Sequence, residues 1–310
     1  MHLKFFLLFY QLFSVFLVFS QTKTFTVKSD DPKISLAYST IQVIGKQVGF
    51  YTDSEGKFIL PDGINYNDSI QISYVGYKTV KLKVEQLTET IVLMPKTEIL
   101  DEILIEHKHS RTVSIGLANK KTKLTWHIRP KAELSTLIKN EKYIPNSYIE
   151  KIHIPIDKGK LIKVDGKIEM TYPNFESVFR VHLYSIENNK PKMQLLNYPV
   201  LLYCNQDSDN VLTVDISNEH IEFPQEGIFI GVEMIGDKAQ NYSNENKLEQ
   251  STLPSFRFTK KAKKNLDLVS YSKNIFFEDN WTSINNSNEF SYLKNEYHMA
   301  VGLTLRIYED

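Results

Sequence analysis

The chain has 310 residues, of which 37 are Lys or Arg and 37 are Asp or Glu, so its formal net charge at pH 7 is zero. A balanced charge creates no large electrostatic field, which disfavours binding to nucleic acid or to an anionic membrane surface. Cys204 is the only cysteine, so an internal disulfide is excluded, and its position in an apolar run predicts a buried core thiol.

The first twenty residues have the pattern of a secretory signal peptide. His2 and Lys4 precede an apolar run over residues 5–19, and polar residues resume at Gln21. An apolar stretch of about 7 to 15 residues after a short positive end is what the export machinery recognises, whereas a spanning helix needs about 20. We therefore predict a signal peptide over residues 1–20, with an uncleaved N-terminal anchor as the alternative.

The mature chain is predicted to be exported to the periplasm, the outer-membrane surface or the extracellular space. Gln21 stands where a lipidated cysteine would be, and no later segment has the apolar length that a transmembrane helix needs. A mature chain of about 290 residues is long for one core and suits two domains.

Residues 22–105 are predicted to form a β-sandwich, because apolar residues alternate along short segments that turn residues separate. The clearest turn is Asp53-Ser54-Glu55-Gly56. Its acidic first residue can accept hydrogen bonds from the turn backbone, and its glycine takes a conformation that other residues resist. We expect this turn to join residues 50–52 and 58–60 as a hairpin. Six or seven short strands in about 80 residues leave no room for helices.

Three segments in this region, residues 52–58, 73–77 and 100–105, resemble the carboxypeptidase regulatory-like domain of Bacteroidota surface proteins. The resemblance implies a sandwich module that precedes many different domains and has no catalytic residues of its own. The family usually opens with a glycine-containing strand and a Thr-Gly-x-Pro turn, whereas the matching residues 27–33 contain no glycine.

Although the name of that module contains the word carboxypeptidase, the sequence lacks the ligands of a zinc carboxypeptidase. A zinc carboxypeptidase of that type needs a His-x-x-Glu pair and a distant His, since the metal takes three protein ligands and keeps one open position. None of the eight histidines is followed by Glu at that spacing. Glu106, His107 and His109 are a weaker metal-binding alternative to a solvated linker. We predict no metal site and no cofactor.

Residues 106–123 are polar and basic, and they are predicted to be a linker. Apolar alternation returns beyond them without a clear helical stretch, which predicts a second antiparallel β-sandwich over residues 124–310, with a jelly roll as one candidate. Residues 132–139 fit a short helix or, preferably, a strand. Segments 179–184, 213–216 and 226–234 resemble the uncharacterised β-sandwich regions that follow the regulatory-like module in other proteins, which implies a fold and no activity. The predicted fold class is all-β, with two antiparallel β-sandwich domains.

Trp281 is the single candidate ligand-binding residue. It lies among polar residues near a predicted turn, where an exposed ring can stack against a sugar, but a hairpin residue that folds onto the sandwich is the favoured interpretation. We predict no catalytic residues, because the sequence has neither a Gly-x-Ser-x-Gly elbow nor a Gly-rich phosphate loop.

These observations predict an exported, non-enzymatic binding or scaffolding protein of the periplasm or cell surface. Its expected partner is a cell-envelope protein or a glycan, and not nucleic acid. The alternative is a glycan- or peptide-active hydrolase whose site is built from loops of the C-terminal domain.

Overall fold

The computed structural model describes residues 23–96, 109–116, 124–140, 144–237, 254–260, 269–276, 280–284 and 297–309. Over these residues the structure has two complete 3-10 turns, Val84–Gln86 and Ser217–Glu219, and no α-helix. The all-β prediction is therefore confirmed. No helix in the described ranges is long and apolar enough to cross a membrane. The predicted signal peptide over residues 1–20 lies outside the described residues.

The N-terminal module is a sandwich of two small sheets. Its seven strands are β1 (Thr24–Ser29), β2 (Thr40–Val43), β3 (Val48–Tyr51), β4 (Lys57–Ile59), β5 (Ser69–Ser73), β6 (Val80–Lys83) and β7 (Thr90–Leu93). One sheet has the order β4-β1-β7 and the other β3-β2-β5-β6. The inward positions of the alternating pattern form one core, which includes Val27, Ile41, Ile70, Ile72 and Leu93.

The module differs from the predicted antiparallel sandwich at one pair of strands. β1 and β7 run parallel, with Val27 opposite Ile91. Parallel neighbours need a long crossover connection, and here the whole of β2 to β6 supplies it.

The turn at residues 53–56 forms as predicted, but it does not close a hairpin. Asp53 Oδ1 accepts the backbone N–H groups of Glu55 and Lys57, each at 2.8 Å. Gly56 has a φ of +77°, and a Cβ there would lie 2.6 Å from the carbonyl oxygen of Val27. β3 pairs with β2, whereas β4 pairs with β1, so the turn carries the chain from one sheet to the other. The hairpin prediction is wrong because turn chemistry does not specify the strand partners.

The C-terminal domain is a larger sandwich of two sheets with an additional hairpin. Its first eight strands are β8 (Ser110–Gly116), β9 (Leu124–Trp126), β10 (Ala132–Ile138), β11 (Ser147–Asp157), β12 (Lys160–Val164), β13 (Lys167–Thr171), β14 (Glu176–Glu187) and β15 (Lys190–Gln194). The other eight are β16 (Val200–Asn205), β17 (Val211–Asp215), β18 (Ile228–Asp237), β19 (Ser255–Lys260), β20 (Ser270–Asn274), β21 (Thr282–Ser283), β22 (Tyr297–Met299) and β23 (Gly302–Tyr308). Residues 132–138 are therefore a strand, which was the favoured alternative.

The two large sheets each contain seven strands. The first large sheet has the order β15-β14-β18-β10-β20-β21, with β16 also on β14. The second has the order β22-β19-β11-β23-β8, with β17 on β11 and β9 on β19. Between them lies an apolar core that includes Phe179, Phe256 and Cys204, which is 2% exposed. Burial raises the pKa of the Cys204 thiol, and its predicted place in the core is confirmed.

The structure corrects the predicted linker over residues 106–123. Ser110–Gly116 forms β8, which pairs with β23 along its whole length. This strand lies at a sheet edge and most of its residues are exposed or half-buried, so a polar composition typical of a linker is tolerated there. Residues 106–108 and 117–123, with two of the three weak metal candidates, lie outside the described residues.

The N-terminal module packs directly on the C-terminal domain. Tyr38 and Tyr51 of the module share one apolar cluster with Val178, Ile235 and Phe276. The two backbones also approach closely, because a Cβ at Gly76 would lie 1.8 Å from the carbonyl oxygen of Asn197. The contact therefore depends on the absence of side chains at specific points of the module.

We predict that Gly76→Ala destabilises the protein much more than Gly63→Ala. Both glycines have a left-handed φ, +82° and +85°, so both substitutions carry a similar backbone strain of about 1 kcal/mol. Gly63 faces open space, whereas Gly76 touches the second domain. We expect an additional loss of roughly 1–3 kcal/mol at Gly76, measured by urea unfolding. Equal losses at the two positions would show that the contact between the domains does not contribute to stability.

Candidate functional site: a buried charged row

Four charged residues form a row across the first large sheet, on the face that the N-terminal module contacts. Arg180 on β14, Glu233 on β18, Glu133 on β10 and Lys273 on β20 are successive partners in register on neighbouring antiparallel strands. We call these four residues the charged row. The first three are at most 3% exposed, and the side chain of Lys273 is 21% exposed. Buried charges of this kind require partners.

Glu233 is the best-paired member of the charged row. Both of its carboxylate oxygens lie 3.3 Å from Nη1 of Arg180, and Oε2 lies 2.6 Å from Nε2 of His182. The hydroxyl of Tyr51, on the N-terminal module, donates to Oε1 at 2.7 Å. Burial would raise the pKa of Glu233, but the charge of Arg180 and the bond to His182 outweigh it and lower the pKa to about 2. Glu233 is therefore ionised over the physiological range.

Arg180 connects the charged row to the backbone of the module. Its Nη2 donates to the carbonyl oxygen of Tyr38 at 2.5 Å, and its guanidinium carbon lies 5.9 Å from the centre of the Tyr51 ring. Burial, followed by the charge of Glu233, raises the pKa of Tyr51 well above its ordinary value, so its hydroxyl keeps its proton and remains a donor. The ion pair and the tyrosine thus join the two domains at one point.

Glu133 and Lys273 form the other half of the charged row. Oε2 of Glu133 accepts a hydrogen bond from the Tyr184 hydroxyl at 3.2 Å and lies 3.3 Å from Nζ of Lys273. Oε1 of Glu133 has no hydrogen-bond partner among the described residues, and neither has Oγ of the buried Ser135. This half of the row is less completely paired than the half at Glu233.

Gly231 makes room for the carboxylate of Glu133. It lies between Ser135 and His182 in the next row of the sheet. A Cβ at Gly231 would be 2.1 Å from Oε1 of Glu133 and 3.1 Å from the ring of Tyr184. Any side chain at this position would therefore displace the buried carboxylate.

Trp281, the predicted ligand-binding residue, lies beside the charged row. Its ring is half-buried and packs edge-on against Tyr184, with the ring centres 5.6 Å apart. The ammonium group of Lys273 lies 4.2 Å from the centre of the indole ring, which is a cation–π distance. The ring thus contacts a cation from its own chain, and its role as a platform for an external ligand stays a prediction.

The contacts of Glu233 form a clamp between the two domains. Its carboxylate oxygens are engaged by Arg180, His182 and the module residue Tyr51, and its pKa is lowered. Glu133 is directly opposite Glu233 on the neighbouring strand, a position that brings Cβ atoms to about 5 Å.

Sequence reasoning missed the charged row, although one signal was present. Residues 179–184 alternate between apolar residues and Arg180, His182 and Tyr184. Such alternation predicts one buried face and one face in water. The polar face of β14 is instead buried, because the N-terminal module lies over its beginning. In the described ranges, no group of three or more His, Cys, Asp or Glu side chains is arranged to hold a metal ion.

Comparison with protein families identifies the N-terminal module. Residues 26–105 match the model of the CarboxypepD_reg-like domain. The resemblance seen in residues 52–58, 73–77 and 100–105 is therefore confirmed for this module. No curated protein matches the chain.

Two solved structures share a distant similarity of shape. The first is the clostridial cysteine protease Cwp84 after propeptide cleavage, with 11% sequence identity, a TM-score of 0.38, and coverage of 88% of this chain and 66% of that chain. The second contains the cysteine protease and lectin-like domains of Cwp84, a surface layer associated protein of Clostridium difficile, with 10% identity, a TM-score of 0.35, and coverage of 88% and 59%. These similarities are too distant to support an argument about function.

We predict that Tyr51 and Glu233 are energetically coupled. Tyr51→Phe removes a hydrogen bond to a charged group and is expected to cost about 1.5–3 kcal/mol, and Glu233→Gln, which leaves Arg180 without its counter-ion, about 3–5 kcal/mol. Urea unfolding of the two single variants and the double variant gives the coupling energy, which we expect to exceed about 1 kcal/mol. Tyr66→Phe is the matched control, since Tyr66 is 79% exposed. A coupling energy near zero would contradict the clamp.

The lowered pKa of Glu233 predicts that the folded protein loses stability in acid. The pKa of its carboxyl group is about 2 in the folded protein, against an ordinary value of 4.5. The carboxylate therefore stabilises the fold fully above pH 4.5, and this contribution is lost as the pH falls towards the pKa of the folded protein. The contribution is on the order of 3 kcal/mol. We expect the free energy of unfolding of the wild type to fall more steeply over this pH window than that of Glu233→Gln. Parallel curves for the two proteins would assign the acid sensitivity to other carboxyl groups.

Proposed function

We propose that the chain is an exported, non-enzymatic binding or scaffolding protein of the periplasm or cell surface. The CarboxypepD_reg-like match over residues 26–105 supports this proposal, because a module of that type suggests binding or scaffolding. The apolar run over residues 5–19 supports export. The resemblance to modules of Bacteroidota surface proteins favours a cell-envelope location.

The observation that carries the proposal is the use of the charged row as a clamp. The best-paired carboxylate of the charged row, Glu233, is engaged in the contact between the two domains. Glu233 binds Arg180, His182 and the module residue Tyr51, and it is 1% exposed. A carboxylate held in this way stabilises a fixed arrangement of two domains, which is what a scaffold requires.

The clamp also restricts the kind of partner that we propose. The two domains present their outer surfaces in a constant orientation, so a cell-envelope protein or a glycan would meet a preorganised surface, with little loss of conformational entropy on binding. Zero net charge gives no reason to propose nucleic acid.

The proposal predicts that the exported protein has no hydrolytic activity. Mass spectrometry of the protein from the periplasmic or extracellular fraction is expected to show a new N-terminus at Gln21. The same preparation is then tested against a broad panel of glycosidase, esterase and peptidase substrates, and we expect no turnover above that of a heat-denatured control.

Two results would contradict the proposal. One is a protein that stays in the cytoplasm with residues 1–20 intact. The other is turnover that Glu133→Gln abolishes while the circular-dichroism spectrum stays unchanged, because this would assign the less completely paired carboxylate of the charged row to catalysis and favour the hydrolase alternative.

A further inference from the structure

Strand β8 is the longest strand at the end of a sheet in the described part of the chain, and its outer edge pairs with no other described strand. Strands at the other sheet ends are short or carry residues that prevent further pairing. β21 and β22 have two and three residues, β6 contains Lys81 and Lys83, and β15 contains Lys190, Pro191 and Lys192. β8 has seven residues, contains neither Lys nor Pro, and pairs with β23 without a register shift. Its outer edge is therefore open to a further strand.

The hydrogen bonds of β23 show which backbone groups of β8 face the free edge. The N–H of Glu309 donates to the carbonyl oxygen of His109 at 2.9 Å, whereas the N–H of Tyr308 donates to that of Asn146, on the other side of β23. Opposite residues of an antiparallel pair alternate between hydrogen-bonded and non-hydrogen-bonded pairs. The odd-numbered residues of β8 therefore bond to β23. The backbone groups that point away from β23 belong to Ser110, Thr112 and Ser114.

The two faces of β8 differ in chemistry. The three residues with outward backbone groups have exposed hydroxyl side chains on one face. Val113 and Ile115 lie on the other face, where they are half-buried, and Ile115 packs against the core of the C-terminal domain. A strand added at this edge would therefore need polar residues on its outer face and apolar residues on the face towards the core.

The sequence of β8 meets this requirement when two copies pair antiparallel. Full overlap of Ser110–Gly116 with the same residues of a second copy places Val113 at a two-fold axis, opposite its counterpart. Thr112 then lies opposite Ser114 of the second copy, and each such pair exchanges two main-chain hydrogen bonds, because both residues present N–H and C=O groups to the free edge. Hydroxyl pairs and pairs of β-branched apolar side chains both stabilise neighbouring strands.

The charge on β8 agrees with this register. Arg111 is the only charged residue of the strand, and its Nε lies 3.1 Å from Oε1 of Glu309 in the same chain. In the fully overlapping register Arg111 lies opposite Ile115 of the second copy, so the two arginines are about 14 Å apart along the strands. Salt largely screens exposed charges at that separation, because the Debye length is about 8 Å at physiological ionic strength. The pairing thus brings no like charges together.

We propose that two copies of the chain associate by antiparallel pairing of β8 with β8, around a two-fold axis at Val113, so that their second large sheets form one continuous sheet. Main-chain hydrogen bonds provide the affinity of strand addition, so this contact does not require a large apolar area. Two-fold contacts between identical surfaces are the commonest form of self-association. The proposal concerns a different surface from the clamp and does not depend on the absence of enzymatic activity.

Sedimentation equilibrium of the exported protein, from about 1 µM to about 1 mM, tests the association. We expect the average mass to rise towards twice the monomer mass. Ser114→Pro is expected to remain a monomer, because it removes an outward N–H, and an edge strand tolerates proline at such a position. Ser114→Ala is the matched control, since it removes the same hydroxyl, keeps the N–H and is expected to associate. Circular dichroism and urea unfolding establish that the variants are folded.

Oxidative cross-linking tests the register. At the axis the two copies of Val113 form a non-hydrogen-bonded pair, with Cα atoms about 4.5 Å apart, which is within the range of a disulfide. Val113→Cys is therefore expected to give a covalent dimer. Thr112→Cys is the matched control, because its Cα atoms would be about 9 Å apart, too far for a disulfide. Both variants keep the native Cys204, which is buried.

Three outcomes would overturn the proposal. The first is a wild-type protein that stays monomeric over the whole concentration range, which would leave the free edge of β8 to a strand of a different protein. The second is equal association of Ser114→Pro and Ser114→Ala. The third is a yield of covalent dimer from Thr112→Cys that equals or exceeds that from Val113→Cys.

Discussion

The buried ion pair between Arg180 and Glu233 is the constraint on which the arrangement of the two domains depends. A charge that is removed from water must be paired and hydrogen-bonded, and the sheet alone does not complete this pairing. The N-terminal module supplies the missing partners, namely the hydroxyl of Tyr51 to Glu233 and the carbonyl oxygen of Tyr38 to Arg180. The module is therefore part of the environment that makes the face of the first large sheet stable.

The local pattern of the sequence was sufficient to predict the strands but not their partners. Alternation identified the β structure on both sides of the linker, and turn chemistry identified Asp53 and Gly56. The same turn was wrongly expected to close a hairpin, since hydrogen bonds inside four residues carry no information about which sheet the next strand joins. β8 was missed for a related reason. An edge strand has a neighbour on one side only, and the residues of Ser110–Gly116 are exposed or half-buried. Polar residues are tolerated there, so the composition of the strand resembles that of a linker.

The candidate site was beyond sequence reasoning because its parts are distant in the chain. Tyr51 and Glu233 are separated by 182 positions, and Arg180 and Tyr38 by 142. Within β14 the alternating polar residues could only be expected to face water, because nothing in that segment indicates that a separate module covers them. Trp281 was singled out from its polar neighbours, and its contact with Lys273 is invisible in the local sequence because the ammonium group comes from another strand.

The two halves of the charged row resolve the burial of charge to different extents. At Glu233 the burial is resolved within the chain, because Arg180, His182 and the module residue Tyr51 supply its partners. At Glu133 it is resolved only in part, since Oε2 contacts Tyr184 and Lys273 whereas Oε1 has no hydrogen-bond partner among the described residues. The half of the row that the N-terminal module contacts is therefore the half that is fully paired, which is why the module and the sheet depend on each other at this point.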